Sequence, residues 1–324
     1  MKGAAGLLLA VGILLIPFDD SAAFAPASLN SVVSLLPHWP GHPRAGALDL
    51  PPGVAPEASA VAIAPGGYLV TAYHAVAPAD ALDVRLRDGR IQAAEMLAFD
   101  PLTDIALLKI EADLPVPAQV ETSSLGLADP VCAVGNAFGL GLSVTCGVVS
   151  ALARTSTGFN AIEDFIQTDA AVNPGMSGGG LFDGQGNLVG MLSAIFASEA
   201  DTNAGVNFAV SAELLQRVAF DLQEYGAVRR GDSGLRVRDP SREDLRKGPG
   251  ALVIHVREGS PAAEAGLQAG DLLIEAAGRS IASAADFRTA LQLQRPGERF
   301  DLIFRRGESR VTTKLTLEWR SSGE

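Results

Sequence analysis

The chain has 324 residues and a formal net charge of −12. That length suffices for about two domains with real cores, and the acidic balance argues against nucleic acid or an anionic membrane as the main partner. The chain is apolar-rich, poor in aromatics and punctuated by 35 glycines and 19 prolines, which favours many short strands and turns over long helices.

The N-terminus reads MKGAAGLLLAVGILLIPFDDSAAFAPAS. Lys2 precedes an apolar run from Leu7 to Ile16, and Ala23-Phe24-Ala25 then offers a small-x-small cleavage site. Residues 1–25 therefore read as a secretory signal peptide. The run is short for a membrane span, which needs about 20 residues, and an uncleaved anchor is the alternative. Either way the bulk of the chain is exported, to the periplasm on the family resemblance drawn below. It is soluble after cleavage or tethered once.

The stretch Ser31 to Leu36 is apolar, and a Pro/Gly-rich loop follows. His38-Trp39-Pro40-Gly41-His42 has no cysteine or carboxylate beside it and reads as loop rather than metal site. From Ala60 to about Leu192 short β-like runs alternate with turns: YLVTA, LDVRLRDGRIQAAEML, DIALLKI, PVCAVGN, VTCGVVSAL, GGLFD and LVGMLSAI. This spacing predicts an antiparallel sandwich or barrel. Asp88-Gly89 is a hairpin turn. Cys132 and Cys146 flank a Gly-rich hairpin. Export permits a disulfide between them, two buried thiols are the other reading, and the sequence leaves both open. AELLQRVAFDLQEYG predicts an amphipathic helix with Ser211 as N-cap and Gly226 as stop. From RRGDSG onward a small α+β module of about 90 residues begins, with SAADFRTALQLQ as its helix and ERFDLIFRRGESRVTTKLTLE as a closing hairpin.

The stretch DAAVNPGMSGGGLFD crowds Ser177 with Gly175, Gly178, Gly179 and Gly180. Glycine permits positive φ and close backbone approach, so these residues suit a loop that holds something against the hydroxyl. A nucleophilic serine needs a base within reach, and the base needs an orienting carboxylate. His74 follows the strand GYLVTAY, and Asp104 opens DIALLKI. Gly175-Met176-Ser177-Gly178-Gly179 also fits G-x-S-x-G, the nucleophile elbow of α/β-hydrolases. That fold demands a helix after the serine and its acid and histidine later in the chain. Here a strand, GGLFD, follows, and the one later histidine is His255. The order His, Asp, Ser matches the chymotrypsin arrangement instead.

GYLVTAYHAV, DPLTDIALLKI and TDAAVNPGMSGGGLFD together resemble the three catalytic motifs of the HtrA/Deg family of trypsin-like serine proteases. CAVGNAFGLGLSVTCGVVSAL resembles that family's pre-serine hairpin, AGVNFAVSAELL its post-serine strand and helix, and SPAAEAGLQAGDLLIEAAGRSI a PDZ domain. The resemblance implies a mainly β fold: a chymotrypsin-like double β-barrel over residues 26–228 and an α+β PDZ domain over 229–320. It implies Ser177 as nucleophile, His74 as general base and acid, and Asp104, rather than the nearby Asp100, as the group that orients the imidazole. The N–H groups of Gly175 and Ser177 would form the oxyanion hole. Gly234, Leu235, Arg236 and Val237 would hold a peptide's terminal carboxylate, with the helix around Ala284 to Leu293 as the groove's other wall. No cofactor and no metal are implied.

The function expected from this resemblance is an exported serine endopeptidase for unfolded, damaged or regulatory proteins. It would cut after a small apolar residue, bind C-terminal peptides at the PDZ domain and assemble as a homotrimer. The alternative is a PDZ-mediated binder or chaperone whose protease domain rests inactive. Three departures from the family pattern stand out: Met176 where Asn is usual, Ala58-Ser59-Ala60 for Gly-Ser-Gly, and Arg236 for a Gly of the carboxylate loop.

Overall fold

The computed structural model describes residues 26–43, 55–119, 124–197 and 203–319. The expected signal peptide or anchor lies outside the described residues, as does most of the loop before Glu57. Among the described residues no helix is long and apolar enough to cross a membrane.

The first half is a closed six-stranded barrel. Its strands are β1 (Val32–His38), β2 (Ala58–Ala64), β3 (Tyr68–Ala72), β4 (Ala81–Arg85), β5 (Ile91–Asp100) and β6 (Ile105–Lys109), with a short helix α1 (Tyr73–Val76) after β3. Their order around the barrel is β1-β2-β3-β6-β5-β4, all antiparallel. The Asp88-Gly89 turn joins β4 to β5, with Gly89 at φ 87°. Burial alternates along much of β5, the period-2 signature of a strand with one face inward. Leu35, Ala58, Ala60, Leu69, Val84 and Leu108 fill the interior.

A second closed barrel follows, from β7 (Pro130–Gly135), β8 (Ser143–Arg154), β9 (Phe165–Thr168), β10 (Gly180–Asp183), β11 (Leu188–Ala197) and β12 (Asn203–Ser211), ordered β10-β11-β12-β9-β8-β7. Cys132 and Cys146 lie directly opposite on β7 and β8 and form a disulfide. Helix α2 (Ala212–Tyr225) closes the unit. Ser211 accepts the Leu214 N–H at its start and Gly226 ends it in the left-handed conformation. Its apolar face, with Leu214, Leu215, Val218 and Leu222, shares one core with Val70 and Ile105 of the first barrel and Phe165 and Phe208 of the second.

The C-terminal module contains β13 (Gly231–Asp232), β14 (Leu235–Arg238), β15 (Ala251–Val256), α3 (Pro261–Glu264), β16 (Leu272–Ala276), β17 (Arg279–Ser280), α4 (Ala284–Gln292), β18 (Arg299–Arg306), β19 (Ser309–Thr316) and β20 (Glu318–Trp319). The main sheet runs β14-β15-β16-β18-β19, and α4 packs Phe287, Ala290 and Leu291 against it. Polar bonds join this module to the barrels. Arg279 reaches Asp164 and, at 2.9 Å, Glu213. Thr289 Oγ1 donates to the Glu163 carbonyl at 2.7 Å, and Thr155 donates to Asp286.

Candidate active site

The barrels present His74, Asp104 and Ser177 to one cleft of about 620 Å³, lined also by Tyr73, Phe159, Val172, Pro174 and Ser193. His74 sits on α1, directly after β3. Asp104 ends the turn between β5 and β6 at φ 60°, a left-handed conformation that Asp tolerates better than most residues. Their bond is double: His74 Nδ1 lies 2.7 Å from one carboxylate oxygen, and the His74 main-chain N–H donates to the other at 2.8 Å. Main chain and ring are thereby fixed by one buried side chain. Ser193 Oγ donates a third bond to Asp104 at 3.2 Å. Sequence reading missed Ser193, because 89 residues separate it from its partner and no local motif marks it.

Asp100, the rival carboxylate, is engaged elsewhere. It is buried and accepts Thr103 Oγ1 at 2.5 Å and Arg230 at 2.6 Å. Those bonds brace the turn that carries Asp104.

Ser177 lies in the turn before β10. Its hydroxyl is directed to the Ser193 carbonyl at 3.5 Å, and it forms no hydrogen bond with the His74 ring. The loop's outward carbonyls are tied back. Phe138 N–H donates to Pro174 O at 2.7 Å, Ser59 Oγ to Gly175 O at 2.8 Å, and Ser59 N–H to Ser177 O at 2.9 Å. Among the described residues no protein acceptor takes the N–H of Gly175 or of Ser177. Gly175 has φ +92°, and a side chain there would strike the Asn136 carbonyl. Gly178, at φ +85°, lets the loop press against Ser59 and Thr71.

Two departures have structural consequences. Met176 is fully buried and packs in the second barrel's core, where its sulfur accepts the Asn173 N–H at 3.4 Å. The residue that replaces the usual Asn thus anchors the loop by packing. Ala58 and Ala60 are also fully buried, and their methyls join the first barrel's core.

At the other expected site, Gly234 makes the turn between β13 and β14 at φ +77°. Leu235, Arg236 and Val237 already belong to β14. The Gly234 N–H donates to Asp232 at 2.8 Å and the Leu235 N–H to Ser233 Oγ at 3.2 Å. The turn therefore sits at the beginning of the expected segment, and the rest is strand. Among the described residues no cluster of His, Cys, Asp or Glu is arranged to hold a metal ion.

The trypsin-like peptidase domain family matches residues 58–191, a span that contains His74, Asp104 and Ser177, and the PDZ domain family matches residues 252–306. Among solved structures, an HtrA-type protease, AlgW with a tripeptide, superposes with a TM-score of 0.70 at 33% identity, covering 93% of this chain and 96% of that one. The chain belongs to the HtrA family. Its fold is that of an HtrA protease: two six-stranded barrels of the chymotrypsin type followed by a PDZ domain. The periplasmic serine endoprotease DegP of Escherichia coli K12 is 36% identical over 267 residues, which is 80% of this chain and 56% of DegP. A probable periplasmic DegP-like endoprotease of Hahella chejuensis is 36% identical over 301 residues, 90% of this chain and 63% of its own length. This HtrA chain thus spans less than two thirds of these curated relatives.

Proposed function

We propose that this protein is an exported, periplasmic serine endopeptidase that cuts unfolded, damaged or regulatory proteins. The observation that carries the reading is the pair of hydrogen bonds from His74 to Asp104 beside Ser177 in one cleft. In this mechanism Ser177 Oγ rotates away from the Ser193 carbonyl toward His74 and attacks the scissile carbonyl carbon as the imidazole takes its proton. Asp104, accepting the Nδ1–H, holds the tautomer that leaves Nε2 free as base and stabilises the cation that forms. The unused N–H groups of Gly175 and Ser177 receive the developing oxyanion. His74 then protonates the leaving amine, and water hydrolyses the acyl-enzyme by the same steps in reverse. Val172 and Pro174 give the cleft an apolar wall suited to a small apolar residue before the cleaved bond.

The PDZ domain captures C-terminal peptides. The amides of the turn at Gly234 hold the carboxylate, replacing the Asp232 and Ser233 oxygens they now meet, and the open edge of β14 takes the peptide as an added strand. The family resemblance supports a homotrimer, which sedimentation reads directly.

A second reading, a binder whose protease rests inactive, is favoured by one observation: Ser177 is not bonded to His74. Incubating denatured casein with the mature protein and with Ser177→Ala separates the two. Cleavage by the wild type alone supports the protease. No cleavage by either, with or without C-terminal peptides, supports the binder.

A further inference from the structure

β14 is the edge strand of the PDZ sheet, paired with β15 on one side and open on the other. Its burial alternates. Leu235 and Val237 pack against the domain core, so Arg236 and Arg238 project from the opposite, solvent face. Arg238 is held by Asp244 at 3.1 Å, whose carboxyl lies below the usual range because Ser241 donates hydrogen bonds to it and Arg238 lies beside it. Arg236 is exposed and has no hydrogen-bond or ion-pair partner among the described residues. His255 stands opposite it on β15. The carboxylates at the start of the strand, Asp232 and Glu318, are both engaged by Arg257. Beyond β14 the exposed Arg242 and Arg246 alternate with Asp239, Glu243 and Asp244, so the positive charge of this edge rests on Arg236. The contrast with the rest of the molecule is sharp. Residues 229–319 hold more Arg and Lys than Asp and Glu, in a chain whose net charge is −12.

We propose that this edge selects C-terminal peptides that carry acidic side chains just upstream of the terminal carboxylate. The inference rests on the peptide-capture reading above and adds the substrate class. The direction of the peptide follows from the turn. A carboxylate held at Gly234 sits at the beginning of β14, so a chain pairing with the open edge must run antiparallel, toward Arg238 and the 239–247 segment. Side chains of an added strand alternate in step with those of its neighbour. The terminal side chain then turns to the core face of β14, where Leu235 and Val237 pack. The penultimate residue and the one two positions before it then face solvent, on the side of Arg236. An opposite charge placed there is stabilised across the strands, and a like charge is repelled. An arginine on a sheet edge also deters edge-to-edge pairing. That role alone would give no discrimination between peptides.

The test uses the full mature chain carrying Ser177→Ala, so that peptides survive, and fluorescence anisotropy with labelled hexapeptides. All end in the same apolar residue and differ in having Glu, Gln or Lys at the two solvent-facing positions. The Glu peptide should bind about three- to fivefold tighter than the Gln peptide, the range of exposed ion pairs, and the Lys peptide weakest. Arg236→Gln should bring the Glu and Gln peptides together, and Arg236→Glu should reverse the order. Equal binding of the three free acids, or an order unchanged in both variants, overturns the selectivity. A C-terminally amidated Glu peptide should bind far more weakly than the free acid. If it binds equally, or if no peptide binds, the peptide-capture reading itself fails and the selectivity falls with it.

Discussion

Ser59 and Gly175, 116 residues apart, are joined by a hydrogen bond of 2.8 Å from the serine hydroxyl to the glycine carbonyl. The same hydroxyl accepts the Asn136 N–H at 2.8 Å. One side chain from the first barrel thereby ties two loops of the second and keeps the Gly175 carbonyl turned from the cleft. Ser59→Ala leaves the buried Asn136 N–H and the Gly175 carbonyl without this partner, at a cost of about 1–2 kcal/mol. If that cost falls on the loop that must receive the oxyanion, kcat drops about tenfold while KM hardly changes. Steady-state kinetics on a peptide substrate read the split. An unchanged kcat contradicts the role given to Ser59.

Asp104 accepts three bonds, two from His74 and one from Ser193. Asp104→Asn keeps the volume but favours the wrong imidazole tautomer, and kcat should fall by about four orders of magnitude. The melting temperature should move little by comparison. Parity with wild-type turnover would remove Asp104 from the mechanism.

The disulfide Cys132–Cys146 spans 14 residues of sequence. Closing a loop of that size restricts the unfolded chain by about 3 kcal/mol. Replacing both cysteines with serine should shift the urea midpoint of the protease domain downward by a corresponding amount, with proteolysis at low denaturant retained. An unmoved midpoint would mean that the cross-link adds no stability.

Arg279 of the PDZ domain pairs with Asp164, which is 1% exposed and begins its contacts just after the 155–163 loop. Glu163 organises that loop by accepting the N–H groups of Thr157, Phe159 and Asn160 at 2.7, 2.8 and 3.0 Å. Arg279→Ala leaves a buried carboxylate without its cation, which is strongly unfavourable. Amide exchange across residues 155–164 should accelerate in this variant, read by hydrogen-exchange mass spectrometry. Exchange equal to wild type would show that the pair does not restrain the loop.

Much of this molecule was legible in its sequence because the informative signals are local. Strand periodicity, the Asp88-Gly89 turn, the Ser211 and Gly226 caps and the three motifs around His74, Asp104 and Ser177 each lie within one short stretch of chain. The fold class followed from their order. What was not legible depends on distance. Ser193 meets Asp104, Ser59 meets Gly175 and Arg230 meets Asp100 only after both barrels close, and no pattern in the chain links those positions. Where the turn at Gly234 ends and β14 begins was not legible, because Leu235-x-Val237 looks the same as loop or as the start of a strand until its pairing with β15 is seen. The anchoring of the serine loop by Met176 was not legible for the same reason. Met176 is buried in the second barrel's core with residues far along the chain, Val131 and Ala209 among them.

The central claim is that Ser177 is a nucleophile served by His74 and by two free amides. The most direct test is intact-mass labelling of the mature protein with a fluorophosphonate, beside Ser177→Ala, with and without a C-terminal peptide. A single adduct on the wild type, absent from the variant, is the predicted result. No adduct on the wild type under either condition, or an equal adduct on the variant, would contradict the account.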